Sequence, residues 1–337
     1  MYSYHMVDWL LFFYIYCFLG WVWESCYVSF MNKKWVNRGF MHGPFLPIYG
    51  FGAITILVTT IPVQKNLLLV FLFGMIGATI LEYVTGVVME KLFHVRYWDY
   101  SSQPFNLNGH ICLFSSLAWG GFSILMVRFI HHPFETLVMK LPINIAEIIA
   151  FVISIIVAVD FTQSFNEAMD LKELLENLTE SNEEIRRLKK RIDVIIAVAD
   201  NERKELVQKA SEGKNAIEEK LSDVVKATKG GTVKRNLAKN REEKTHLLNS
   251  LSERLNAYIE AKKAALEKEN RAEEMEKLHS ELEGFKESLH RQMNKLHSRS
   301  DKAYNRSLRM LRRNPNAVSK EYAEALKEVQ DLDHNKH

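Results

Sequence analysis

The chain has 337 residues, 47% of them apolar, with 44 Lys+Arg against 41 Asp+Glu and a formal net charge of +3. That average hides two unlike halves: residues 1–170 hold 8 Lys+Arg and 10 Asp+Glu, whereas residues 171–337 hold the remaining 36 and 31. Near-matched charge argues against nucleic acid as a partner, and three cysteines (Cys17, Cys26, Cys112) lying within or beside apolar runs argue against a disulfide framework.

At the N-terminus, MYSYHMVDW carries no Lys or Arg before the first apolar run. That run exceeds the roughly 7–15 residues of a signal-peptide core, so it is expected to stay in the mature protein. Five segments reach or approach the roughly 20 residues needed to span a bilayer: Val7 to Phe30, Phe45 to Pro62, Leu67 to Glu90, Ile111 to Ile130, and Ile143 to Phe161. Runs this continuous exclude a β-barrel, and lipid demands that each close its backbone hydrogen bonds internally. The predicted fold class is therefore all-α: a five-span transmembrane bundle over residues 1–165 and a charged helical tail. Lys33, Lys34, Arg38, Lys91 and Arg96 fall on one side with the basic start of the tail, against Lys65, Arg128 and Lys140 on the other. The positive-inside bias places the N-terminus outside and the tail in the cytoplasm.

Spans one and three share a spacing. Glu24, Lys33 and Arg38 recur as Glu82, Lys91 and Arg96, each 58 residues later. Each glutamate has a small residue four positions before it, Gly20 and Ala78, and in the third span the stripe reads Gly74, Ala78, Glu82, Gly86. Small residues on one helix face let helices approach closely in lipid, so both carboxylates are expected to face the bundle. A carboxylate at that depth is costly and reads as functional. Arg38 and Arg96 lie beyond the helix ends, where either could fold back to neutralise an acid. The pattern reads as two helical hairpins related by a parallel repeat, a symmetry common in transporters, plus a fifth helix. The bland alternative is that each Glu tethers a loop through its Arg.

Irregular loops follow both spans. The stretch from Arg96 to Ile111 mixes Tyr97, Trp98 and Tyr100 with Asp99, Asn106, Asn108 and Gly109. The aromatics read as an interfacial belt, or the loop re-enters and lines a polar cavity, where Asp99 and Asn108 would serve as polar groups. Irregular backbone survives at membrane depth only under cover of protein or water.

The runs Phe18-Leu-Gly-Trp-Val-Trp-Glu24, Asn37-Arg-Gly-Phe-Met-His-Gly-Pro44, Pro47-Ile-Tyr-Gly50, Glu82-Tyr-Val-Thr-Gly86, Arg96-Tyr-Trp-Asp-Tyr-Ser101 and Asn108 to Trp119 resemble the bacterial membrane family of ABC-transporter type IV permeases. The resemblance covers about residues 8–162. It implies a small multi-span protein of the bacterial cytoplasmic membrane with a permease role. Tyr49, in the third of those runs, completes a candidate substrate-binding set of Glu24, Glu82, Arg38, Arg96, Asp99, Asn108 and Tyr49.

No G-x-x-x-x-G-K-[ST] loop occurs, so any ATPase would be a separate subunit. The carboxylates could otherwise carry protons or cations themselves. Asp160 and Glu147, near the ends of the fifth span, are weaker candidates. Histidines 42, 94, 110, 131 and 132 lack metal-ligand spacing, so no metal, no cofactor and no catalytic residue is expected.

From Leu171 apolar residues recur every seven: Leu171, Leu178, Ile185, Ile192, Ala199, Leu206, with Leu174, Leu188 and Ile195 three later. This is a coiled-coil seam, here assigned to residues 166–313 with a break at Gly230-Gly231. A second periodic stretch holds Leu248, Leu251, Leu255 and Tyr258, then Met275, Leu278, Leu282, Phe285, Leu289 and Leu296. The two could fold back on each other or pair with another copy in a homo-oligomer. Asn314-Pro315-Asn316 ends the second helix, and residues 314–337 form a short amphipathic helix and tail. The leading function is a permease-like component for an unidentified solute, not an enzyme. The rival is a membrane-anchored coiled-coil scaffold.

Overall fold

A computed structural model describes residues 4–209, 238–268, 283–292 and 301–334. The chain forms two compact units, Met1–Leu175 with Asp301–Leu326, and Glu176–Ser300 with Lys327–His337.

In the first unit, α1 (Met6–Asn32) begins at His5, whose backbone N–H donates to Asp8, and ends with Lys33 in the left-handed region at φ 52°. Then α2 (Pro47–Thr60) opens on proline, which is suited to the first helical turn, and closes through a 3-10 turn at Ile61–Val63 that contains Pro62. Helix α3 (Leu67–Phe93) is capped by Asn66, whose side chain accepts from the N–H groups of Leu68 and Leu69. Two short antiparallel strands, β1 (Asn106–Leu107) and β2 (Ile111–Cys112), turn at Asn108 and Gly109, both at positive φ. Helix α4 (Leu113–Met139) contains a π-helical turn at Met126–Ile130, and α5 (Ile143–Lys209) follows.

Among the described residues, α1, α3, α4 and the Ile143–Val194 part of α5 are long and apolar enough to cross a membrane. The expected second span differs, being the shorter apolar helix Pro47–Val63. At 1.5 Å per residue the 14 residues of α2 cover only about 21 Å, short of the roughly 30 Å hydrocarbon core. The cause is the preceding loop, which climbs beside α1 before α2 begins. Val36 N–H donates to Ser29 Oγ at 2.9 Å, Arg38 N–H to Ser25 Oγ at 3.1 Å, and Leu46 N–H to the Cys17 carbonyl at 3.0 Å. Residues 33–46 thus retrace about half of α1 in irregular conformation, covered by protein as lipid requires.

One core joins all five helices, with Leu11, Phe12 and Tyr16 of α1, Ala53, Ile56 and Leu57 of α2, Ala78 of α3, Met126 and Val138 of α4, and Ala146 and Ala150 of α5. On α3 the stripe Leu72, Ile76, Ile80, Val84, Val88 is exposed, while Val70, Gly74, Ala78, Glu82 and Gly86 are buried. An apolar outer face opposite a small-residue inner face is the arrangement of a lipid-facing helix.

In the second unit, Ile185, Leu188 and Ile192 of α5 pack with Leu248, Leu251, Leu255 and Ile259 of α6 (Ala238–Lys268) and with Leu289 of the helical stretch 283–292. Leu175, not Leu174, is fully buried, at the end of the first unit, and in the second unit Ser181 bonds Gln292 at 3.1 Å. The side chains of Ile195, Ala199 and Leu206, the Gly230-Gly231 break, and Met275, Leu278, Leu282 and Leu296 lie outside the described residues. Two short helices end the chain, α7 (Asp301–Arg313) and α8 (Ala323–His334). In α8 Glu328 pairs with Lys244 at 2.6 Å.

Candidate functional site

Glu24 lies on α1 one turn after Gly20, whose missing side chain makes room for Tyr49 of α2. A Cβ at position 20 would fall 2.8 Å from Tyr49 Cδ2 and closer still to its Cβ and Cγ. Tyr49 OH donates to Glu24 Oε1 at 2.7 Å, and Arg38 Nε stands 3.7 Å from Glu24 Oε2. The return of the loop along α1 is what carries Arg38 back to this acid.

Glu82 on α3 is 6% exposed. Tyr100 OH donates to its Oε1 at 3.2 Å, and Trp119 Nε1–H and Ser115 Oγ–H donate to its Oε2 at 3.1 and 3.4 Å. The second loop also climbs back, beside α3. His110 reaches Glu90, the Asn108 amide donates to Tyr83 OH at 3.2 Å, and Tyr100 reaches Glu82. Eleven residues separate Glu82 from the helix end at Phe93, about 16 Å at 1.5 Å per residue. The two hairpins therefore share one design, a long helix, a loop retracing it, and a next helix that starts beside the acid.

The acids meet through aromatic rings. Tyr49, which holds Glu24, packs with its ring 6.3 Å from that of Trp119, which holds Glu82. The partners differ in kind, because Glu24 has a guanidinium beside it and Glu82 has three neutral donors.

Arg96 departs from the repeat. It does not reach Glu82, the role its spacing offered it, but grips Glu90 with Nε and Nη2 at 2.7 and 2.8 Å, and its Nη1 donates to Asp99 at 3.2 Å and to the Asn108 carbonyl at 2.8 Å. The reason is reach, since Glu90 lies two turns nearer the loop on the same helix. Burial opposes the Arg96 charge, but Glu90 and Asp99 outweigh it and hold the guanidinium above its ordinary pKa. Asp99 is likewise held low despite partial burial, by hydrogen bonds from Ser101 and the charge of Arg96. Arg96, Asp99 and Asn108 thus form a loop-bracing group, apart from the Glu24, Tyr49 and Glu82 cluster. Tyr97 is buried, and the half-buried Trp98 and Tyr100 turn their polar atoms inward, Trp98 Nε1 donating to the His110 carbonyl at 2.9 Å and Tyr100 OH to Glu82.

Several participants carried no sequence signal of their own. Trp119 and Ser115 sit at the start of α4, the latter in a reciprocal cap with Cys112. A further polar group forms where His42 Nδ1 meets Asp160 Oδ1 at 3.0 Å and His42 Nε2 meets Glu167 at 3.1 Å. Glu167 also takes Arg309 at 2.8 Å and Arg313 at 2.9 Å, both from α7. Glu147 stands apart from these groups, near the start of α5.

Long apolar helices enclosing a polar, aromatic-lined cluster are those of an α-helical membrane protein. Residues 11–165, the helical segment that holds the whole cluster, match the model of the family described as "Putative ABC-transporter type IV". That match has the extent expected from the sequence motifs and leaves the tail outside it. No curated protein and no solved structure matches the chain.

Proposed function

We propose that the chain is the permease-like component of a transport system in a bacterial cytoplasmic membrane, with Glu24 and Glu82 forming a polar site for an unidentified solute. The observation that carries this reading is the joining of the two acids through the Tyr49 and Trp119 rings, between loops that re-enter the bundle. Tyr49 and Arg38 set the charge at Glu24, while Arg96, Asp99 and Asn108 hold the second loop in place. A buried carboxylate with only neutral donors binds a proton or cation without first breaking an ion pair. Energy comes either from such coupling or from a separate ATPase subunit.

In this reading α2 and its loop together count as one span of five, with the N-terminus outside and the tail in the cytoplasm. Support comes from geometry: loops 33–46 and 94–112 and the far end of the α5 span all touch residues 301–326 and so share a side. The tail leucines act as a coiled coil that pairs within the chain, leaving a homo-oligomer to form through other surfaces. The scaffold alternative draws on the same tail packing. The experiment is a comparison of solute accumulation in cells making the natural chain, Glu24→Gln, Glu82→Gln, or a chain lacking residues 171–337, at equal membrane abundance. The permease reading expects both Gln variants to lose accumulation. The scaffold reading expects only the deletion to have an effect.

A further inference from the structure

Far beyond the membrane helices in sequence, residues 301–326 rejoin the first unit. They contact three parts of that unit at once: the loop after α1, the loop after α3, and α5. Asn314 Nδ2 donates to the Gly39 carbonyl at 3.0 Å, and Arg313 Nη2 to the Phe40 carbonyl at 3.3 Å. Val318 pairs with Arg96 as a two-residue antiparallel bridge, with N···O distances of 2.7 and 3.0 Å, and Ser319 Oγ donates to the His94 carbonyl at 2.6 Å. Arg309 and Arg313 close on Glu167 of α5. Leu308, Met310, Leu311 and Ala317 are buried beneath these contacts.

Arg38 makes this more than a surface contact. Its Nε faces Glu24, its Nη1 donates to Asn314 Oδ1 at 2.8 Å, and its Nη2 donates to the Tyr97 carbonyl at 2.8 Å. One guanidinium therefore joins the carboxylate cluster, the second loop and residue 314. We infer that residues 301–326 are a releasable cap that closes the Glu24–Glu82 cluster on its loop side and is coupled to it through Arg38. The contact joins ion pairs to α5 and backbone hydrogen bonds to two irregular loops over four buried apolar side chains, so it can open as one local unit while the membrane helices stay folded. When the cap leaves, Arg38 loses Asn314 and the Arg96 loop loses its bridge to Val318. The first loop then keeps its α1 contacts and the His42 and Gly43 contacts with α5, and the second loop keeps its α3 contacts and the Arg38 bond to the Tyr97 carbonyl. A chain that leaves the membrane unit at Leu175 and returns as this cap has its tail tethered at both ends. Binding of a partner to the tail is thereby given a direct route to the cluster. The inference deepens the permease reading as regulation of that same site, and it rests on that reading for its purpose, but its test does not.

The test uses the full chain in detergent with Ala317→Cys added, so that topology plays no part. A water-soluble maleimide is applied, and labelling is read peptide by peptide. Position 317 reports the cap. Native Cys112, 3% exposed and bonded to Ser115 beside Glu82, reports the cluster, and native Cys17, 1% exposed in the bundle core, reports general unfolding. Arg309→Ala with Arg313→Ala, and separately the shape-preserving Glu167→Gln, are expected to raise labelling at 317 and at Cys112 at least tenfold with Cys17 unchanged. Lys34→Ala, in the same loop as Arg38 but outside the contact, is expected to change none. A rise at 317 alone would overturn the inference, because the cap would leave without opening the cluster. A rise at Cys112 alone, no rise at either, or a parallel rise at Cys17 would overturn it as well. Transport that survives both Gln variants retires the permease reading and leaves the labelling result standing.

Discussion

Gly20→Ala probes the contact on which the first half of the cluster depends. The added methyl would lie 2.8 Å from Tyr49 Cδ2 and nearer to the root of that side chain, which sits against the α2 backbone and has no freedom to swing away. Carbon atoms rest about 3.5–4.0 Å apart, so α1 and α2 must separate by about 1 Å. Overpacking of this kind costs about 1–3 kcal/mol. The same displacement draws Tyr49 OH from Glu24, 2.7 Å away in the native contact, and losing a hydrogen bond to this half-buried carboxylate costs about 1–3 kcal/mol more. The total is about 2–6 kcal/mol. Equilibrium unfolding in mixed micelles of increasing SDS content measures it directly. Because Tyr49→Gly removes the Cβ together with the ring, Gly20→Ala made on that background should cost under about 1 kcal/mol. Equal costs on both backgrounds would refute the claim that Gly20 exists to seat Tyr49.

Glu167→Ala leaves the buried Arg313 guanidinium, already pushed below its ordinary pKa by desolvation, without its carboxylate. The loss is expected to be about 3–5 kcal/mol, seen as a lower unfolding midpoint of the first unit, and a loss under about 1 kcal/mol would contradict the assigned pairing. Burial and the nearby Arg96 hold His110 below its ordinary pKa of about 6.5, with Lys320 adding to them and Glu90 and Asp99 opposing. A depressed histidine favours its neutral form in the fold, so its contribution is complete above about pH 6.5 and declines as pH falls below it. Stability should therefore drop between pH 7 and 5 by up to about 1.4 kcal/mol per unit, and His110→Gln should flatten the slope; stability rising toward acid would show that Glu90 governs instead. Leu255→Ala, at a fully buried position of the tail core, should cost about 2–5 kcal/mol in the second unit while Cys112 in the first stays unreactive to maleimide. Loss of protection at Cys112 would contradict that assignment.

Much of the bundle was legible because lipid leaves few choices. Long apolar runs, the Gly74–Gly86 stripe and the inward placement of Glu82 all follow from helical periodicity and small-residue packing. The shortness of α2 was not legible, because the run from Phe45 to Pro62 looks like a span until the loop before it is known to climb to Cys17. The 58-residue offset exposed the pair of acids but overstated their likeness. Spacing places Arg96 without revealing that Glu90, closer on the same helix, captures it. In the sequence, residues 301–313 look like the end of the coiled coil and residues 314–326 like the start of a short amphipathic helix and tail, because their Lys and Arg resemble a solvated helix face. That those arginines meet Glu167, some 140 residues earlier, is a tertiary fact with no local signature.

The most direct measurement is the solute content of washed cells by mass spectrometry, with the natural chain compared against Glu24→Gln and Glu82→Gln at matched membrane abundance. The account predicts at least one solute whose cellular level shifts with the natural chain and returns to the level of cells lacking it in both variants. Identical profiles for the natural chain and both variants, alongside a clear change on deleting residues 171–337, would contradict it.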